Sequence, residues 1–406
     1  MSHWTGALIA LLFLVFALGS RKISHSVLTG PMLFAAFGIL IGPQLLGWIE
    51  LEISNHVIHT IAEVTLVVVL FTDAASTDFK AFRASGKLPL RMLLIGMPLA
   101  VGLGTVAALA LFPGWLLWEA ALLAAILTPT DAALGQSVIE NESVPDRIGT
   151  AIGSESGLND GLALPLVILF AALASGGTGD GAAYWTKFIG SQILLGPLAG
   201  IVTGFAGGRL VSLADERNWM SEWAEGIAAM AIALGAYMLA EAMGGNGFLA
   251  VFSGGLAFGK GLRRRCLFLH QFEQTEAHML VLITFTLVGA MLLPAAMQHF
   301  TWPCLLFAIF ALTIMRMLPI AISLIGLKLG LHTIAFLGWF GPRGLASVLI
   351  LLIVMQSTDL VRESELLAAV ALTVTLSIIL HGVTAAPWAR IYGRRADNNT
   401  TKPAKP

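Results

Sequence analysis

The chain has 406 residues, of which 57% are hydrophobic and only 12% charged, and its formal net charge is −1. Soluble chains carry roughly 25% charged residues, so half that proportion at this length excludes a soluble enzyme, and the same composition excludes a disordered chain. A net charge near zero gives no bulk attraction to nucleic acid, which leaves a polytopic membrane protein.

A bilayer core of about 30 Å takes about 20 helical residues. Thirteen apolar stretches are predicted to cross it, at 4–20, 26–48, 57–78, 88–112, 115–139, 147–174, 186–212, 221–243, 246–259, 276–297, 301–327, 332–356 and 363–390. None shows the ten-residue alternation of a membrane barrel, so the expected fold is all-α. The first stretch has its charges, Arg21 and Lys22, after it, the reverse of a signal peptide's order, and is expected to be a retained helix entering from outside. The ninth, short and glycine-rich, is the weakest of the thirteen. The two cysteines, Cys266 and Cys304, form no disulfide framework and no cysteine-based zinc site.

The distribution of basic residues tests this count. With an external N-terminus, the loops expected in the cytoplasm hold 19 of the 23 Lys and Arg residues, against Lys187 and Arg362 outside. Losing one span would scramble every later loop, so the positive-inside rule supports thirteen spans and a cytoplasmic C-terminus. Residues 396–406 form a short cytoplasmic tail, and no extramembrane domain is expected. The glycine-rich stretch 174–185 falls near the middle of the chain, where two halves of an inverted repeat would join. Gly196, Gly200, Gly204 and Gly208 share one face of the seventh span, a spacing that favours close helix packing.

Charges at membrane depth are costly and usually functional. Those well inside the spans are Asp73, Asp131, Glu155, Asp160, Arg316 and Arg343, whereas Glu63, Glu225, Glu241 and His381 lie nearer to span ends and are read as structural or interfacial. The fifth span carries Thr128-Pro129-Thr130-Asp131. A proline with polar neighbours suggests a broken helix whose free backbone groups line a cavity, the alternative being a simple proline kink. In the sixth span Glu155 and Asn159 share a face, with Ser156 and Asp160 beside them. Such oxygens suit a hard cation that sheds water. A buried carboxylate also favours its protonated form, and one group able to hold either a cation or a proton is the minimum device for exchanging them. The alternative is a helix whose carboxylates only pair with arginines. In the twelfth span Gly341, Pro342 and Gly344 flank Arg343 and predict a second interruption. Arg343 must pair with an acid or with carbonyls, Glu155 and Asp73 being the candidates. Arg316 is expected to neutralise helix C-termini or a second acid.

An intramembrane aspartyl protease would need two facing aspartates, for which Asp131 and Asp160 are available, but the Gly-x-Gly-Asp pattern is missing. A serine hydrolase is no better supported, because Glu155 stands where a nucleophile elbow needs serine.

The runs TPTDAAL (128–134), SESGLNDGLALP (154–165), GPRGLAS (341–347) and LHGVTAAPWARIYG (380–393) resemble the monovalent cation:proton antiporters of the NhaP type, over about Leu28 to Gly393. The resemblance implies an inverted-repeat fold of about thirteen helices in which broken helices cross at mid-membrane. It also implies a homodimer, with a dimerisation part at roughly 1–80 and 215–300 and an ion-transporting core at roughly 88–174 and 301–392, within a single transmembrane domain, 1–395. The implied activity is exchange of sodium or lithium for protons across the cytoplasmic membrane without a cofactor, and potassium/proton exchange is the alternative. Asp160 would be the alternately protonated and cation-bound carboxylate. Asn159 and Asp131 would support it, Thr130 and Ser156 would lie near the ion, and Glu155 would pair with Arg343. Asp73 and Arg316 are auxiliary candidates. The family commonly has Thr-Asp-Pro in its broken fifth helix and a glutamate near Asp73, so this chain departs from the pattern at both places.

Overall fold

The computed structural model describes residues 3–24, 28–48, 56–77, 87–139, 141, 143–175, 182–262, 278–357 and 360–400. Lys80, Arg83, Arg263, Arg264, Arg265, Cys266, Lys402 and Lys405, and with them the last residues of the predicted tail and the middle of the 174–185 stretch, lie outside the described residues.

Among the described residues the structure is helical throughout. The helices are α1 (His3–Ser24), α2 (Gly30–Ile41), α3 (His56–Ala75), α4 (Leu88–Leu111), α5 (Leu117–Ile126), α6 (Ala132–Ile139), α7 (Asp146–Ala174), α8 (Ala182–Glu216), α9 (Glu222–Ala242), α10 (Gly247–Gly261), α11 (His278–Gln298), α12 (Trp302–Ser323), α13 (Leu331–Trp339), α14 (Leu345–Ser357) and α15 (Glu363–Thr400). Seven of them are long and apolar enough to cross a membrane in one piece. Each predicted span coincides with one helix, except the fifth and twelfth, which are built from the half-helix pairs α5 with α6 and α13 with α14. The weak ninth span is the helix α10. Helix α15 runs on beyond the predicted span end at 390, so the tail begins as a continuation of the last helix.

Local chemistry sets the irregularities. Helices α4 and α11 each widen into a π-turn, at Met92–Gly96 and Val288–Leu292. Pro98 and Pro294 follow, and the carbonyls they cannot reach with a donor, on Leu94 and Ala290, fall inside those turns. In the same way Pro129 and Pro342 remove the N–H groups that would continue α5 and α13, and the chain there runs non-helical before α6 and α14 begin.

The glycine face of α8 packs as its spacing predicts. A Cβ at Gly196, Gly200, Gly204 or Gly208 would strike the backbone of α10 or its N-cap, at Asn246, Ala250, Gly254 and Phe258 respectively. The opposite side of α10 is equally tight, since Gly255 and Gly259 lie against the backbone of Phe71 and Ala75 in α3. Helix α10 is therefore clamped between α8 and α3. Helix α7 packs with α5 and α6, and the main apolar core draws on most of the helices, with α5, α11, α14 and α15 its largest contributors.

Candidate functional site

The two interruptions meet. Asp131 N donates to the carbonyl of Pro342 at 2.8 Å, so the break between α5 and α6 lies against the break between α13 and α14. Four half-helix ends converge there, and each has an identifiable partner. Asp131 serves the two N-termini: Oδ1 accepts from Leu134 N at 3.1 Å and Oδ2 from Leu345 N at 2.6 Å. A carboxylate at a helix N-terminus both satisfies orphan N–H groups and complements the helix dipole. Arg343, completely buried, serves the C-terminal end of α5, where its Nη1 donates to the carbonyls of Thr128 and Pro129. Ser347 Oγ donates to Ile126 O at 2.7 Å and ties α14 to the same end. The C-terminal end of α13 is served by His381, whose Nε2 lies 3.0 Å from the carbonyl of Trp339. Ser377 links that histidine to the break, because its hydroxyl accepts from Arg343 N at 2.7 Å and lies 3.1 Å from His381 Nδ1.

The glycines around Arg343 are required by this crowding. A Cβ at Gly344 would overlap the Asp131 carboxylate, and one at Gly341 would overlap the Arg316 guanidinium.

Helix α7 presents its polar cluster to the crossing. Glu155, Ser156, Asn159 and Asp160 are all buried. Asn159 Nδ2 donates to Thr130 Oγ1 at 2.6 Å, and Thr130 Oγ1 shares a hydrogen bond with Ser156 Oγ at 2.9 Å. Two acceptors on adjacent residues, Asn159 Oδ1 and Asp160 Oδ1, are buried without a hydrogen-bond partner. Buried oxygens are nearly always paired, so two neighbouring orphans are a set of oxygens turned toward something other than the protein. Asp160 also lies in the negative field of Asp73, Asp131 and Glu155. Among the described residues no three His, Cys, Asp or Glu side chains converge as a metal chelate.

The expected Glu155–Arg343 pair is not formed. Glu155 is held instead by Arg316, whose Nη1 and Nη2 donate to its two carboxylate oxygens at 2.5 and 2.7 Å. The physical reason is the break between α5 and α6: it leaves the carbonyls of Thr128 and Pro129 without helical donors, and Arg343 is spent on them. Of the alternatives the sequence left open, Arg343 takes carbonyls rather than an acid, and Arg316 takes an acid rather than helix C-termini. Asp131, Thr130, Glu155, Ser156, Asn159, Asp160, Arg316 and Arg343 are otherwise brought together as expected. Asp73 is half-buried on α3, and its main-chain carbonyl faces Gly157 of α7. Sequence reasoning missed Ser377, which looks like an ordinary residue of an apolar helix, and read His381 only as a structural or interfacial residue near a span end. Their only signal was a histidine inside the LHGVTAAPWARIYG run.

Residues 7–391 match the family described as "Sodium/hydrogen exchanger, transmembrane". The chain belongs to this family. The family is one of transporters rather than enzymes, which sets aside the intramembrane-enzyme reading, and the chain is a multi-pass membrane protein. A curated relative, the K(+)/H(+) antiporter NhaP of Alkalimonas amylolytica, is 26% identical over 94% of the chain. Another, the K(+)/H(+) antiporter NhaP2 of Shewanella oneidensis, is 27% identical over 84% of it. The chain spans only 65% and 61% of the length of these two relatives. Among solved structures, the sodium proton antiporter MjNhaP1 of Methanocaldococcus jannaschii has the same fold, with a TM-score of 0.74 over 97% of both chains at 18% identity.

Proposed function

We propose that this chain is a secondary antiporter that exchanges a monovalent cation, sodium or lithium, for a proton at Asp160. The observation that carries the reading is the pair of unpartnered buried oxygens on Asn159 and Asp160, beside the Thr130–Ser156 hydroxyl pair. A desolvated carboxylate needs one positive charge, and a proton or a monovalent cation supplies it equally well. Asn159 contributes a neutral carbonyl oxygen, fixed in orientation because its amide is committed to Thr130. Thr130 and Ser156 are hydroxyl ligands within the same cluster. Asp131 supports the site at one remove, by fixing the half-helices on either side of the break in which Thr130 lies. Glu155 is paired with Arg316, and the pair holds the site together. Asp73 adds negative potential that favours cations.

Potassium/proton exchange is the second reading, and the names of the Alkalimonas and Shewanella relatives favour it. We further propose a homodimer in the cytoplasmic membrane, with the N-terminus outside. In this reading α1 to α3 and α9 to α11 form the dimerisation part, with α8 joined to it through its packing on α10, and α4 to α7 and α12 to α15 form the moving core.

Proton flux in reconstituted vesicles, read by a pH-sensitive dye, tests the reading when sodium, lithium and potassium are supplied in parallel. Cation-dependent flux is expected for the wild type and none for a folded Asp160→Asn variant. Flux in that variant would refute the assignment.

A further inference from the structure

A cavity of about 500 Å³ opens between α3, α8, α9 and α10 on one side and α7 and α14 on the other. Its walls carry Glu63, Tyr237 and Glu241, the tyrosine donating to Glu63 Oε1 at 2.5 Å. Along α7 its lining begins at Leu164, and along α10 it includes Phe248. Leu164 lies four residues from Asp160, one helical turn toward the Ala174 end. The cavity therefore stops one turn short of the proposed exchanging carboxylate.

Against Gly161, the residue that follows Asp160, sits Phe252, one turn along α10 from Phe248. Its ring fills the space that a Cβ at Gly161 would occupy, and it packs with Leu158, Ala74 and Leu93. The chain on either side of this contact is anchored differently. Helix α10 is clamped to α8 and α3 by the glycine contacts described above. Helix α7 is tied to the crossing half-helices and to α12, through Asn159 to Thr130 and Glu155 to Arg316.

Gly161 is the last of a regular series. Gly149, Gly153, Gly157 and Gly161 recur every four residues along one face of α7, and the next position, 165, is a proline. Gly157 is less crowded, since the nearest atom to a Cβ there is the carbonyl of Asp73, at 3.9 Å. The track thus gives Phe252 a second seat one turn toward the Asp146 end, and the bulk of Pro165 in the other direction. Four residues of helix span about 6 Å. If α7 slides by that amount toward its Ala174 end, Gly157 arrives under Phe252 and Asp160 arrives where Leu164 now lines the cavity. One displacement accomplishes both, because the two pairs have the same spacing. Packed helices do switch by such one-turn steps between discrete arrangements.

We infer that Phe252 is the barrier between this cavity and Asp160, and that it alternates between seats on Gly161 and Gly157 as the core of the molecule moves. The inference rests on the antiporter reading for its purpose, but its geometry is testable without transport. In a background with Cys266→Ser and Cys304→Ala, Phe252→Cys is combined with Gly161→Cys or, separately, with Gly157→Cys. A disulfide needs Cα atoms within about 7 Å, so a seat one turn away is out of reach in either fixed arrangement. After mild oxidation of the protein in vesicles, mass spectrometry of the linked peptides is expected to find both pairs, each in its own variant. Cross-linking at 161 alone would overturn the inference. Gly157→Val provides a second test, because it fills one seat. Exchange is expected to slow by about fivefold or more, while the 252–161 cross-link still forms in that background and reports an intact fold. Undiminished exchange in Gly157→Val would equally overturn the inference. A wild type with no exchange but with both cross-links would refute the antiporter reading and leave the two-seat barrier standing.

Discussion

Arg316 closes on Glu155 with both of its terminal nitrogens, at 2.5 and 2.7 Å, and both side chains are almost completely removed from solvent. The pair joins α12 to α7 across 161 residues of sequence. Removing one partner of such a pair strands a buried charge, which costs about 3–5 kcal/mol, whereas replacing both by apolar groups is often neutral. Arg316→Met and Glu155→Leu should each lower the melting temperature of the purified protein strongly, and the double variant should recover most of the loss. Additive losses would mean that the two charges are not coupled.

Arg343 acts on backbone rather than on an acid. Arg343→Met leaves the carbonyls of Thr128 and Pro129 without their donor, at about 1–3 kcal/mol for each buried group left unsatisfied. Amide hydrogen exchange should accelerate at 131–135 and 345–349, where the half-helices begin, before any change elsewhere. Arg343→Lys should restore part of the protection, because both carbonyls are served by the one nitrogen Nη1 and an ammonium can donate to two acceptors. Unchanged exchange at both half-helices would show that the arginine is dispensable for the crossing.

Gly344 has Asp131 where its side chain would be. Gly344→Ala should therefore destabilise the protein by about 1–3 kcal/mol, the usual cost of overpacking. Asp131→Asn should not relieve it, since the amide is as large as the carboxylate. Thermal melting of the single and double variants checks this, and a neutral Gly344→Ala would contradict the crowding.

The two breaks were legible in the chain because Pro129 and Pro342 announce them, each flanked by residues with no apolar reason to be there. The polar face of α7 was legible for the same reason: Glu155, Asn159 and Asp160 stand out in an apolar helix. What spacing could not decide was which arginine meets which partner. Arg316 and Arg343 carry the same charge, and their partners are chosen by where the helix ends fall in three dimensions. Carbonyl acceptors leave no trace in a sequence, so carbonyls stood only as an alternative for Arg343, and nothing showed that those at the end of α5 would claim it. The contact of Phe252 with Gly161 was hidden likewise, since a phenylalanine among glycines reads as ordinary packing.

Competition at one carboxylate fixes a pH dependence. If protons and cations exclude each other from Asp160, as proposed, the apparent cation affinity should weaken by about tenfold per pH unit once the protonated form dominates. Exchange should fall at both extremes, at low pH because the site stays protonated and at high pH because no proton returns. Cation titrations of dye-reported flux at several pH values would check this. An affinity independent of pH would exclude a shared carboxylate.

Charge counting at the site bears on stoichiometry. The residue before Asp160 is Asn159, which does not titrate, and Glu155 is committed to Arg316. One proton for one monovalent cation is therefore expected. Such exchange is insensitive to voltage, whereas net charge movement would couple at about 2.3 kcal/mol per 100 mV. Vesicles with a potassium diffusion potential set by valinomycin, assayed for sodium/proton exchange, should reach the same equilibrium point at every potential. A shift with potential would require a second proton carrier.

The crossing of the two broken helices balances its own electricity. Asp131 answers two positive helix ends, and Arg343 answers a negative one. Fixed charges thus cancel fixed dipoles, and Asp160 is left as the uncommitted charge among them. A bare carboxylate in such surroundings is too poorly solvated to travel, while a neutralised one moves with nothing left to screen. In the proposed exchange, slippage, the return of an unloaded carrier, would thereby be suppressed at its source. Tight coupling of the two fluxes would then need no separate lock: it would follow from a counter-charge that only cargo can bring.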